Sequence, residues 1–131
     1  MSWVEAENTG KEPLPLDLLS SFHLGHISPF AADEAPHRLL IHRFRSSWSA
    51  EGRLQSATVE ALDLEPSWSR GGVSSVRFGQ VGSMPVRGWF PLVAVEDQAA
   101  EVLWGASLAW SGFWQLELYR KDDALQLAGG G

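Results

Sequence analysis

The chain predicts an all-β fold, an antiparallel β-sandwich of seven or eight short strands. Apolar residues recur with period two in short runs bounded by Gly, Pro, Ser and Asp clusters, the pattern of half-buried strands. No stretch of useful length carries a helix period. The run Glu101–Tyr119 alternates on both sides of Ser111-Gly112: Val102, Trp104, Ala106, Leu108 and Trp110 share one face, and Trp114, Leu116 and Leu118 share one on the return. That pattern predicts a hairpin turning at Ser111-Gly112.

Residues 1–13 are polar and acidic, with a turn at Asn8-Thr-Gly10, and read as a loosely held arm with an edge strand at Trp3-Val4. Pro13 and Pro15 bracket a stiff segment. Leu16–Phe22 fits one helical turn or an extended run, and both readings stay open. Ser28-Pro29 and Ala35-Pro36 mark loops, because proline biases the preceding residue away from helix. His37–Arg45 reads as a strand with Leu39 and Ile41 opposed to Leu40 and Phe44, followed by a turn over Trp48–Arg53. Leu54–Leu64 reads as one long strand ended by Glu65-Pro66, then a turn at Ser69–Gly72 and a strand over Val73–Phe78. Gly79–Gly88, with three glycines and Pro85, reads as a long loop. A strand over Trp89–Val95, a turn at Glu96–Gln98, the hairpin, a turn at Lys121–Asp123 and a last strand at Ala124–Leu127 complete the order.

The last four strands are expected to form an antiparallel meander. A glycine run, Gly129–Gly131, straight after a strand is expected to leave a sheet edge uncovered, which complete proteins usually avoid. It reads as a flexible tail or as a sign that this is the front piece of a longer protein. The expected organisation is an N-terminal arm over residues 1–19 and one β-sandwich over residues 20–131.

At 131 residues one domain is the natural expectation. Hydrophobic content of 44% and charged content of 20% are ordinary for a globular protein. Seven tryptophans are many for this length and indicate a large flat surface to be covered. The net charge of −6 argues against nucleic acid as a partner, since an acidic domain repels a phosphate backbone. With no cysteine, neither disulfides nor thiolate-bound metal is expected. The N-terminus lacks a basic start followed by an apolar run, and no apolar stretch approaches the ~18 residues of a membrane span, so a cytoplasmic protein is expected.

Glycosidase chemistry calls for two carboxylates about 5–10 Å apart across a sugar. Asp122 and Asp123 are adjacent, so on a strand they point to opposite faces, and both read as solvated turn residues. Glu96-Asp97 reads the same way. Glu51, between Trp48 and Arg53, is the more suggestive acid, though a solvent-facing turn explains it as well. His23, His26, His37 and His42 read as loop and strand-surface residues, because no helix aligns the first pair and no carboxylate stands at ligand spacing. Ser83 lacks the Gly-x-Ser-x-Gly elbow, and Gly79–Gly82 lacks the Gly-Lys-Ser/Thr of a phosphate loop. Trp104, Trp110 and Trp114 are expected in core or inter-domain packing. Trp48, Trp68 and Trp89 stand at turns or strand ends, where an indole can stack on a sugar, cover a sheet end or meet a neighbouring domain.

Several runs together carry a resemblance. They are Ser20-Ser-Phe22, His42-Arg-Phe-Arg-Ser-Ser-Trp-Ser-Ala-Glu-Gly-Arg53, Arg77-Phe-Gly-Gln-Val-Gly-Ser-Met-Pro-Val-Arg-Gly88, Pro91-Leu-Val-Ala-Val95 and Trp104-Gly-Ala-Ser-Leu-Ala-Trp-Ser-Gly112, with Gln115-Leu-Glu117 following. Over residues 20–128, in this order, the chain resembles the N-terminal β-sandwich of glycoside hydrolase family 36, the bacterial-type α-galactosidases. The resemblance implies a parent enzyme that removes terminal α-linked galactose with retention, using two aspartates on a central (β/α)8 barrel. No run here matches the barrel, so neither aspartate is carried over and this chain would be part of a supersandwich without catalytic residues. In some members a loop of this domain reaches over a neighbouring subunit's active site. By that likeness Trp48, Glu51 and Arg53 are candidate sugar-binding residues, although the loop departs from the commoner Asp-Tyr-Arg form. Phe22–Ile27 is longer than related versions. The implied partners are the barrel of the parent chain, a homo-oligomer and α-galactoside sugars; no cofactor is implied. Two other readings stay open: a free-standing carbohydrate-binding module, and a β-sandwich adaptor that binds protein only.

Overall fold

Period-two alternation in this chain produces two four-stranded antiparallel sheets. The computed structural model describes residues 3–27, 37–64, 73–81, 87–121 and 124–131. The strands are β1 (Ser20–Ile27), β2 (Leu39–Ser46), β3 (Leu54–Thr58), β4 (Val73–Gln80), β5 (Gly88–Asp97), β6 (Val102–Ser107), β7 (Trp114–Lys121) and β8 (Ala124–Gly130). Sheet I has the order β1-β8-β7-β4 and sheet II the order β3-β2-β5-β6. The all-β sandwich expected from the sequence is the fold observed.

The two inner faces share one core. Sheet I contributes Phe78, Trp114, Leu116, Leu118, Leu125 and Leu127, and sheet II contributes Leu39, Ile41, Val93 and Val95. The buried positions of β7 alternate strictly, with Trp114, Leu116, Leu118 and Arg120 inward and Gln115, Glu117 and Tyr119 toward solvent. Such alternation lets one strand serve a dry and a wet face at once.

Strands β6 and β7 exist as expected but do not pair with each other. β6 ladders with β5 in sheet II, and β7 ladders with β4 and β8 in sheet I. Residues 108–113 therefore cross between sheets, with Leu108 buried and its N–H donated to the Pro91 carbonyl at 2.9 Å. The expected four-strand meander is two hairpins in different sheets. The reason is physical: two strands facing each other across a sandwich bury the same alternate residues as two strands side by side.

Other local expectations are also revised. The strand beginning at Leu54 ends at Thr58, where the Thr58 hydroxyl accepts the Ala61 N–H at 3.1 Å and opens a 3-10 turn over Glu60–Leu62. Val59 and Leu64 at its two ends are both buried in the core, and Asp63 takes a left-handed conformation between them. Leu16–Leu19 has no helical turn and leads directly into β1. Trp3 and Val4 form no strand and are exposed. Asn8 does make its turn, accepting the Gly10 N–H at 2.9 Å. Gly129 and Gly130 lie inside β8, which runs through the middle of sheet I between β1 and β7, so the glycines leave no edge bare. A Cβ on Gly130 would stand 2.0 Å from the Leu19 carbonyl oxygen. Glycine is what lets β1 approach. Ser28-Pro29, Ala35-Pro36, Trp68, Ser69–Gly72, Ser83 and the pair Asp122-Asp123 lie outside the described residues.

Candidate functional site

The β2–β3 hairpin turn carries all three residues singled out for sugar contact. Two backbone hydrogen bonds close it, Arg45 N–H to the Arg53 carbonyl and Gly52 N–H to the Arg45 carbonyl, both at 2.9 Å, while the Arg53 N–H turns back to the Ala50 carbonyl at 3.1 Å. Ser49 and Gly52 sit at positive φ, 64° and 73°, which turns the chain tightly. The turn holds Trp48 98% exposed, with Glu51 and Arg53 exposed as well. Arg53 reaches back to the Ser49 carbonyl at 3.4 Å. Among the described residues no ion pair joins Glu51 to Arg53. Gly52 borders a shallow hollow of about 390 Å³ whose floor is Phe44, Phe90, Pro91 and Leu92.

That hollow lies on the outer face of sheet II. Cross-strand register puts Leu40, His42 and Phe44 on this face beside Leu54, Ser56 and Thr58 of β3. It puts Leu92, Ala94 and Glu96 of β5 beside Leu103, Gly105 and Ser107 of β6. Leu54 and Leu103 are 52% and 62% exposed. The outer face of sheet I is different in kind. Arg77 donates to Glu117 at 2.8 Å, and the Tyr119 hydroxyl, His23 and Gln126 form a hydrogen-bonded trio with the Tyr119 and His23 rings stacked.

Glu96 and Asp97 do not form a glycosidase pair. Glu96 faces outward, where its carboxylate meets His42 Nε2 at 2.7 Å, and His42 Nδ1 meets Ser56 Oγ at 2.8 Å. Asp97 faces inward and is fully buried, not a solvated turn residue as its sequence position suggests. It accepts from Arg38 and from the N–H groups of Ala99 and Ala100. Adjacent strand residues point to opposite faces, so these two carboxylates cannot flank one sugar. His23 and His42 stand on opposite sheets. Among the described residues no three His, Cys, Asp or Glu side chains gather into a metal-ligand set. No helix there is long and apolar enough to cross a membrane.

Two of the three tryptophans expected in packing are found there. Trp114 is buried, and Trp104 packs against the core. Trp110 is 59% exposed and, with Trp3, lines a groove of about 670 Å³ beside Phe22 and Leu24 of β1. Trp89 is no surface stacking platform. The guanidinium carbons of Arg43 and Arg45 lie over its ring at 4.6 and 4.4 Å from the centroid, and Phe78 meets it edge-on at 6.1 Å. This cluster was missed in the sequence. Its signal was present: Ile41, Arg43 and Arg45 share one strand face by period two, which puts charges where core residues belong.

Compared with protein-family models, with curated proteins and with solved structures, the chain matches none.

Proposed function

We propose that this chain is the non-catalytic N-terminal β-sandwich portion of an α-galactosidase-like glycoside hydrolase. It packs on a (β/α)8 barrel of a parent chain and narrows the entrance for terminal α-linked galactose. The single observation that carries the reading is the contrast between the two outer faces. Sheet I turns a hydrogen-bonded polar face to water, while sheet II turns out Leu40, Phe44, Leu54, Leu92 and Leu103. An antiparallel sheet that ends at water alternates apolar-in and polar-out. On sheet II these apolar side chains surround one polar cluster, His42 with Ser56 and Glu96, and large exposed apolar patches mark contact surfaces. The Trp48–Arg53 turn stands at the rim of this face, where a docked barrel would bring sugar within its reach. The family and the substrate class come from the resemblance over residues 20–128.

The test is to read and express the coding region continuing past Gly131 and to assay an aryl α-galactoside. The longer chain is expected to carry a barrel with two strand-end aspartates and to turn the substrate over, while the 131-residue chain does not. Turnover by the short chain, or a downstream region without such a barrel, overturns the proposal. Saturable quenching of Trp48 fluorescence by a galactoside in the short chain alone moves the reading to a free-standing carbohydrate-binding module.

A further inference from the structure

We propose that Arg43, Arg45 and Trp89 form a binding site for an oxyanion, a carboxylate or a phosphate, at the end of the sandwich beside the β2–β3 turn.

The chain has 16 acidic and 10 basic residues other than histidine, so carboxylates are in surplus. Elsewhere cations find them: Arg38 pairs with Asp97, Arg77 with Glu117 and His42 with Glu96. Among the described residues Arg43 and Arg45 have no carboxylate. They sit two apart on the inward face of β2, both drawn over the same indole. The ladder between β2 and β5 is irregular between Arg43 and Arg45, where Arg43 pairs with Val93 and Arg45 with Trp89. Pro91 lies in the extra length of β5, a position suited to a residue that cannot donate to a ladder. The irregularity brings Trp89 into register with Arg45 while Arg43 still reaches it.

Stacking on a ring occupies the flat face of a guanidinium and leaves its N–H edge free, and that fork matches carboxylate and phosphate geometry. Arg43 Nε is buried with no hydrogen-bond partner, a donor taken from water and given nothing in exchange. Burial, and then the neighbouring Arg45 charge, push the Arg43 guanidinium below its ordinary range. Two like charges held together, one of them with a donor unmet, would gain from an oxyanion twice over: their repulsion is neutralised, and the solvent-facing N–H groups gain a charged acceptor. A neutral sugar offers only the second gain. All three side chains are half-buried and remain within reach of solvent.

The experiment titrates the whole 131-residue protein with sodium phosphate, with sodium acetate and with sodium chloride at matched ionic strength. It reads tryptophan emission and the thermal unfolding midpoint. A saturable response to phosphate or acetate beyond that to chloride is expected, and whichever is stronger identifies a tetrahedral or a planar ligand. Arg45→Gln should weaken the response by about tenfold or more, the worth of one charge-assisted hydrogen bond. Arg43→Lys keeps the charge but loses the fork and should weaken it as well. Identical responses to all three salts overturn the proposal, as does unchanged affinity in Arg45→Gln, or a saturable response to methyl α-galactoside alone. If Arg45→Gln does not fold, the wild-type comparison among the salts decides by itself.

Discussion

Arg38 holds the fully buried carboxylate of Asp97 in a two-pronged grip, its Nη2 lying 2.9 Å from Oδ1 and 2.8 Å from Oδ2. Oδ1 also accepts the N–H groups of Ala99 and Ala100 at 3.0 Å each. One side chain thus shapes the β5–β6 turn and ties it to the start of β2. Removing Arg38 takes the guanidinium away from a fully buried carboxylate. Breaking a fully buried pair costs about 3–5 kcal/mol. Arg38 keeps 29% exposure, so water screens part of the loss, and Arg38→Ala is expected to cost about 2–4 kcal/mol. Urea denaturation measures it, and a change below about 0.5 kcal/mol, typical of ordinary surface sites, would show the pair to be ornamental.

Gly130 and Gly105 should respond oppositely to alanine. At Gly130 the new Cβ meets the Leu19 carbonyl oxygen at 2.0 Å and the Ser20 Cα at 2.8 Å, all backbone that must shift. Gly130→Ala is expected to cost about 1–3 kcal/mol and to speed amide exchange along β1. At Gly105 nothing lies within 4 Å, so Gly105→Ala is expected to be neutral or to stabilise by up to about 1 kcal/mol through the unfolded chain. Paired thermal melts compare the two.

Glu60 links stability to acid. Burial raises its carboxyl pKa, but the N–H groups of His37 and of Glu60 itself, the His37 ring and the Thr58 hydroxyl together lower it further, leaving it below its ordinary 4.5. A depressed carboxyl contributes stability that is present above the unfolded-state value and is lost as pH falls through the folded one. Wild type should therefore lose stability below pH 4.5 more steeply than Glu60→Gln. Urea midpoints across that range test the difference, and parallel curves would remove Glu60 from the account.

The apolar face of sheet II should tolerate charge. Leu54→Lys with Leu103→Glu alters two residues exposed by half or more, so stability should change by no more than about 1 kcal/mol. Binding of a hydrophobic dye such as ANS should fall. In the proposed parent enzyme the same pair should uncouple this domain from the barrel. Undiminished dye binding would place the sticky surface elsewhere, with the Trp3–Trp110 groove the next place to look.

Trp48 should be almost free of structural duty. Trp48→Ala is expected to shift stability by less than about 0.5 kcal/mol, since its ring is 98% exposed. Emission should move to shorter wavelength as the most water-exposed indole among the described residues is lost. A large loss of stability would instead reveal a packing role for the turn.

Strand content was legible in the sequence because inward positions such as Leu39, Ile41, Leu116 and Leu118 recur with period two, and that period survives any arrangement of the strands. Pairing was not legible. Trp104 and Trp114 look alike whether their strands lie side by side or face to face, and only the long-range register separates the cases. The strand from Leu54 stopped early because Thr58 bonded its own backbone, a competition that apolar periodicity does not record. The turn holding Trp48, Glu51 and Arg53 was placed correctly because its Gly52 and flanking strands are local signals. Asp97 was misread because its partner, Arg38, is 59 residues away. The same separation in space over sequence hid the meeting of Arg43 and Arg45 with Trp89.

The position of β8 sets an order of events during synthesis. All four strands of sheet II are complete in the sequence at Ser107, ahead of β7 and β8, and β5–β6 closes locally. Sheet I waits. Its strand β1, made first, has β8 as its one strand neighbour among the described residues, with Leu24 paired to Leu127, so Ser20–Ile27 stays unpaired until Ala124–Gly130 emerges. Closing so long a loop is slow, and an early edge left waiting is where a nascent chain meets its own copies or a chaperone.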